Sequence, residues 1–203
     1  ENARLKNQLK SSFYDDSIRQ INTSDTTLKQ QYTYVIARVI NNSVHQKNNY
    51  ITINRGKKHG LKKGMGVISP KGVVGIILNV SEHFSTIRSL LHTETKISAS
   101  VDGNIGSLVW GDGNYDSRFA LLKDIQSHLL IKKGAKVVTS EFSLFPQDTE
   151  IGYVTNTGTK NGDSSLKIEV SLNTDFAKLQ YVYVVINQLS EEQLSLEAQN
   201  KIE

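Results

Sequence analysis

The chain has 203 residues, 37% of them hydrophobic and 22% charged, enough apolar material for one large or two small folded domains. A formal net charge of +4 comes from lysines scattered through turn-like segments, with no run of five basic residues, so composition does not point to a nucleic-acid protein. Cysteine is absent, which excludes disulfide frameworks, thiol nucleophiles and thiolate metal sites together.

The chain opens at Glu1 without Met, and no stretch approaches 18 apolar residues, so any signal or membrane anchor would lie upstream. Residues 1–22 predict a helix: no Gly or Pro interrupts them, and Leu5, Leu9 and Phe13 recur every four residues. Leu5 and Leu9 fit a coiled-coil seam and are the candidate self-association residues, although only about one heptad survives because Ser12 and Asp16 then fall on the seam. Packing of the same helix on its own domain is the alternative. Residues 22–31 are polar and predict a linker.

From Tyr32 the character changes to short Val-, Ile-, Thr- and Tyr-rich runs punctuated by Gly, Asn, Asp and Lys, the pattern of an all-β sandwich or barrel. Strands are predicted at Tyr34–Ile40, Tyr50–Ile53, Gly66–Ile68, Val73–Val80, Thr86–Leu91 and Lys96–Val101. A second set follows at Ile105–Trp110, Arg118–Leu122, Lys136–Thr139, Ile151–Thr155, Leu166–Leu172 and Tyr181–Ile186. Twelve short strands without helical crossovers exclude a parallel sheet and predict antiparallel closure. The polar tail 188–203 is expected to be a short helix or unstructured.

An internal repeat predicts two such units. Leu61–Ser69 (LKKGMGVIS) matches Ile131–Thr139 (IKKGAKVVT), and each copy leads to a Gly and two strand residues, Gly75-Ile76-Ile77 and Gly152-Tyr153-Val154. The expected fold is mainly β: an N-terminal helix of coiled-coil type, then two small antiparallel β-barrel domains. The divisions are 1–31, 32–103, 104–187 and 188–203. One barrel could borrow Tyr34–Ile40 or Tyr181–Ile186 from across the middle boundary.

Two barrels raise the possibility of a serine hydrolase. Its candidates are His45, His59, His83, His92 and His128, with Asp102, Asp112 or Asp124 and Ser107, Ser140 or Ser143. That chemistry needs a turn presenting the hydroxyl beside backbone N–H donors, and no Gly-Asp-Ser-Gly-like segment occurs. The histidines stand 9 to 36 residues apart, without metal-ligand spacing, and the pairs Asp15-Asp16 and Glu191-Glu192 read as solvated faces. No catalytic, cofactor-binding or metal-ligating residue is assigned, and no enzyme activity is expected.

Tyr50–Val80 resembles the MreC family of rod-shape-determining proteins. An apolar strand is followed by a basic residue and Gly56, then Gly60, Gly64 and the turn-strand Lys71-Gly72-Val73-Val74-Gly75. Gly134–Ser140, Phe145-Pro146 and Ile151-Gly152 are similar to that family's later blocks, and the resemblance covers roughly residues 1–186. Ala135 and Glu141 depart from the family pattern in turn regions. Gly56, Gly60, Gly64, Gly72, Gly75, Gly134 and Gly152 read as backbone positions, and Phe145 with Pro146 as a rigid apolar corner. The resemblance implies a non-enzymatic scaffold that organises peptidoglycan synthesis outside the inner membrane, with a membrane anchor upstream. It also implies as partners the elongation-specific class B penicillin-binding protein, MreD and the actin-like MreB, while a homodimer through the N-terminal helix is expected from Leu5 and Leu9. The alternatives are a serine-hydrolase-like two-barrel protein and an unrelated all-β periplasmic adaptor.

Overall fold

The computed structural model describes residues 5–6, 13–15, 28–111, 115–126, 128–141, 143–158 and 165–199. Most of the N-terminal helix expected over 1–22, including Leu9, lies outside them. Within that span Phe13–Asp15 forms strand β1, paired antiparallel with β2, Leu28–Gln30, inside the expected linker. A helix running unbroken to residue 22 is therefore corrected. Adjacent aromatics suit a pleated strand, and the hairpin supplies backbone hydrogen-bond partners for both segments.

The following strands are β3 (Tyr32–Asn42), β4 (Asn48–Ile53), β5 (Gly66–Ser69), β6 (Gly72–Val80) and β7 (Ser85–His92). Then come β8 (Lys96–Val101), β9 (Asn104–Val109), β10 (Phe119–Gln126), β11 (Lys136–Thr139), β12 (Glu150–Gly158), β13 (Ser165–Leu172) and β14 (Tyr181–Asn187). A C-terminal helix α1, Ser190–Gln199, follows. Strand pairing makes two closed six-stranded antiparallel barrels, in cyclic order β14-β3-β4-β7-β6-β5 and β10-β13-β12-β11-β8-β9. Closure leaves neither sheet with a free edge.

Pairing departs from chain order at both joins. Strand β8 belongs to the second barrel, pairing with β9 and β11, whereas 32–103 had been expected to form the first. Strand β14 belongs to the first barrel, between β3 and β5, so the division 104–187 is corrected there, while the alternative that one barrel borrows Tyr181–Ile186 across the boundary holds. The cyclic orders superimpose when β5, β6, β7, β14, β3 and β4 are matched to β11, β12, β13, β8, β9 and β10. In each barrel the strand called β7 or β13 runs on into the other barrel's β8 or β14. The two units are thus built by a reciprocal strand exchange within one chain.

The repeat is carried down to single hydrogen bonds. Gly64 N–H donates to Ile77 O at 2.9 Å and Gly134 N–H to Val154 O at 2.8 Å. Ile77 N–H donates back to Met65 O and Val154 N–H to Ala135 O, both at 2.9 Å. Gly64 and Gly134 have φ of +90° and +85°, a left-handed conformation that a Cβ would strain.

Alternating apolar residues fill both interiors: Ile51, Ile53, Ile77, Ile87 and Val184 in the first, Leu108, Leu122, Val137, Ile168 and Val170 in the second, all essentially inaccessible. Burying such side chains, each worth about 1.5–3 kcal/mol, is the main drive for closure. The first barrel has two ends. One faces the second barrel and carries the β3–β4 and β5–β6 turns; at the other the chain arrives at Tyr32, turns between β4 and β5 and between β6 and β7, and leaves toward α1.

Candidate interaction surface

The barrels meet along a seam built from their matched turns. Phe145, in the loop between β11 and β12, is 2% exposed, and a Cβ added to Gly66 would lie 2.8 Å from its ring. A Cβ on Gly72 would collide with the Glu150 carbonyl oxygen. These are the starts of the equivalent strands β6 and β12, so the seam follows the pseudo-symmetry of the exchange. Ser69 and Thr174 hydroxyls hydrogen-bond across it at 3.1 Å, and Asn42 Nδ2 donates to Phe176 O at 2.6 Å. The Phe145-Pro146 loop is held by its own barrel: Thr139 and Thr149 hydroxyls both donate to Pro146 O at 2.7 Å. A cavity of about 190 Å³ opens beside the seam, walled by Tyr34, Ile68, Pro70 and Gln147.

The other glycines singled out from the sequence serve close backbone contacts or turns. A Cβ would drive Gly56 into Ser81 O, Gly75 into Arg88 O and Gly152 into Ser171 O, whereas at Gly60 it would meet open space. Gly152→Ala is therefore expected to destabilise the protein by about 3 kcal/mol or more through overpacking against backbone. Gly60→Ala, at φ +76°, should cost only about 1–2 kcal/mol. Urea melts of the two variants check the ordering.

Among the described residues most hydrolase candidates have other partners or lie exposed. Ser140 is buried and its hydroxyl donates to Ser98 Oγ at 2.7 Å. Gly56 N–H donates to His59 Nδ1 at 3.2 Å, His83 Nε2 lies 3.1 Å from Lys58 Nζ, and His45 and His128 are exposed. Asp102 and Asp124 occupy turn or bulge positions with φ of 48° and 66°, and Asp112 lies outside the described residues. Among the described residues no group of three or more His, Asp or Glu could hold a metal ion.

His92 has a structural setting that sequence alone did not disclose. It ends β7, where the chain crosses to the second barrel, and its Nδ1 accepts Glu94 N–H at 3.1 Å. Its Nε2 lies 3.0 Å from Tyr50 Oη, with the two rings edge to face at 5.1 Å. Burial pushes its pKa below the usual 6.5, opposed by Glu94 and assisted by Arg88. Below that value the unfolded chain binds more protons than the folded one, so stability rises with pH. The increment is complete above the unfolded pKa and is lost as pH falls through it toward the lower folded value. Melting is expected at lower temperature at about pH 5.5 than at about pH 7.5, with His92→Gln shrinking the difference.

One outer face of the first barrel is exposed among the described residues. On β3, Ile36 and Ile40 point outward with Arg38 between them; Tyr181 on β14 stands opposite Arg38, and Tyr50 projects from β4. Ile36, Ile40, Tyr50 and Tyr181 are 43%, 54%, 41% and 53% exposed. Four large apolar side chains on three adjacent strands, around one arginine, have the composition of a protein-docking surface.

Comparison with known proteins gives the lineage. Residues 39–186 match the family described as rod shape-determining protein MreC, barrel core. The cell shape-determining protein MreC of Listeria monocytogenes is 25% identical over 199 residues, covering 91% of this chain and 68% of that relative. A solved MreC structure from Listeria monocytogenes aligns at TM-score 0.69 and 26% identity, covering 77% of this chain and 76% of the other. MreC in a solved complex between penicillin-binding protein (PBP2) and MreC from Helicobacter pylori aligns at TM-score 0.61 over 78% of this chain and 99% of the other. At 14% identity that last likeness is one of fold. With a family match across both barrels, this chain belongs to the rod shape-determining protein MreC family.

Proposed function

We propose that this chain is a non-enzymatic, extracytoplasmic scaffold of the cell-wall elongation machinery, which maintains rod shape by holding peptidoglycan-synthesis enzymes together. The family membership of both barrels carries the proposal. The apolar face of Ile36, Ile40, Tyr50 and Tyr181 supports a protein partner. The partner proposed for it is the elongation-specific class B penicillin-binding protein, in keeping with the solved complex of fold relatives. MreD and, across the membrane, MreB are proposed as further partners of the full-length protein. No helix among the described residues is long and apolar enough to cross a membrane. The anchor is proposed to lie upstream.

The test is cell shape. Ile36→Asp with Tyr181→Asp in the full-length protein should round the cells while protein level and melting temperature stay near those of the parent, because both side chains are already exposed. Rods of normal width would sink this assignment of the face.

Self-association through Leu5 and Leu9 is proposed for the full-length protein. Leu5 is 48% exposed. One heptad is too short to hold a coiled coil, since isolated helices under about 12–15 residues are marginal. Sedimentation equilibrium should show weak or no dimer for this chain and a tight one for a chain extended upstream. Monomers in both cases would end the coiled-coil proposal.

A further inference from the structure

The end of the first barrel that faces away from the second barrel has a chemistry the scaffold role does not use. Between β4 and β5 the chain places Lys57, Lys58, His59, Lys62 and Lys63 within seven residues, all exposed. Residues 54–65 and the facing turn 81–84 carry five formal positive charges against one negative, Glu82. The two turns are bridged where Lys58 Nζ lies 3.1 Å from His83 Nε2. Beneath the lysines an apolar groove of about 500 Å³ is floored by Leu61, Leu78 and Val80. Phe84, on the tip of the β6–β7 turn that follows Val80, is 49% exposed.

A cluster of exposed cations beside an apolar groove and a projecting aromatic fits a surface that is anionic outside and apolar just beneath. Phosphodiester headgroups over acyl chains have that layering; a hydrophilic polyanion would leave the groove and Phe84 unused. We propose that this end of the first barrel docks on an anionic lipid bilayer, with Lys57, Lys58, Lys62 and Lys63 contacting headgroup phosphates and Phe84 entering the interface. The proposal rests on the reading that the chain works at the outer side of a membrane. It adds a second contact, besides any anchor, that would fix the barrels' orientation to the bilayer.

The repeat supplies its own control. Lys132 and Lys133 occupy the equivalent turn of the second barrel, at the same position relative to Gly134. Co-sedimentation with vesicles of phosphatidylglycerol and phosphatidylcholine is expected to show binding that falls with added salt and is absent on phosphatidylcholine alone. Lys57→Glu, Lys62→Glu and Lys63→Glu together should weaken it about tenfold or more. Lys132→Glu with Lys133→Glu should change it little, and Phe84→Ala should weaken the binding that persists at high salt. Equal losses from both lysine sets, or binding indifferent to phosphatidylglycerol, would overturn the proposal. So would a concentration-dependent dimer, abolished by the triple substitution, without vesicle binding; the groove would then take the acidic tail 188–203 of a second copy. Absent vesicle binding with intact capture of the penicillin-binding protein would remove this proposal alone and leave the scaffold standing.

Discussion

Deleting residues 181–203 is expected to unfold the first barrel while leaving the second largely formed. Strand β14 lies between β3 and β5, in register with β3 from Tyr181↔Arg38 to Asn187↔Tyr32. It buries Val182, Tyr183, Val184 and Val185. Each such side chain is worth about 1.5–3 kcal/mol, so their combined loss rivals the about 5–15 kcal/mol that stabilises a whole domain. Removal also exposes two unpaired strand edges that closure had protected, a template for aggregation. The second barrel, β8–β13, contains no residue beyond Leu172. Hydrogen exchange on the truncated chain should therefore show β3–β7 unprotected and β8–β13 still protected. Protection retained in β3–β7 would mean that the first barrel does not depend on the exchanged strand.

Phe145→Ala is expected to cost about 3–5 kcal/mol, the range for a buried aromatic whose cavity cannot collapse. Phe145 is 2% exposed, and its ring is the surface against which Gly66 of the first barrel packs. Neither Gly66 nor the doubly clamped Pro146 can move into the space, because one lacks a side chain and the other is fixed by Thr139 and Thr149. The loss falls on the contact between barrels. A single urea transition should split into two, since the units would no longer stabilise each other. Phe145→Leu, which keeps most of the apolar volume, should cost far less. A cost below about 1 kcal/mol for the alanine variant would place Phe145 outside the seam's packing.

Local features of the fold were readable in the sequence, and pairings between distant strands were not. Lys62-Lys63-Gly64 and Lys132-Lys133-Gly134 announced turns whose four hydrogen bonds match one for one. Ile168 and Val170, alternating with Lys167 and Glu169, marked a half-buried strand, and both are fully buried. By contrast, nothing in Tyr181–Ile186 says which barrel it closes, because a strand's apolar pattern specifies a face and not a partner. Strand β10 runs past its expected end at Leu122 to Gln126, since a bulge at Asp124, φ +66°, breaks the alternation and returns Ile125 to the core. The outward face was hidden for a related reason. Tyr34–Ile40 is nearly continuous apolar sequence, and only the barrel shows that Ala37 points in while Ile36 and Ile40 point out. His92 and Tyr50, 42 residues apart, needed the β4–β7 pairing to meet.

The scaffold function is tested most directly by titration calorimetry of this chain against the extracytoplasmic part of the elongation-specific class B penicillin-binding protein from the same cell. Saturable binding is the expected result, weakened about tenfold or more by Ile36→Asp with Tyr181→Asp, as for truncating the centre of an interface. The Lys57, Lys62 and Lys63 charge reversals, at the far end of the barrel, should leave it unchanged. No binding, or binding indifferent to Ile36→Asp and Tyr181→Asp, would contradict a scaffold that recruits the enzyme through this face.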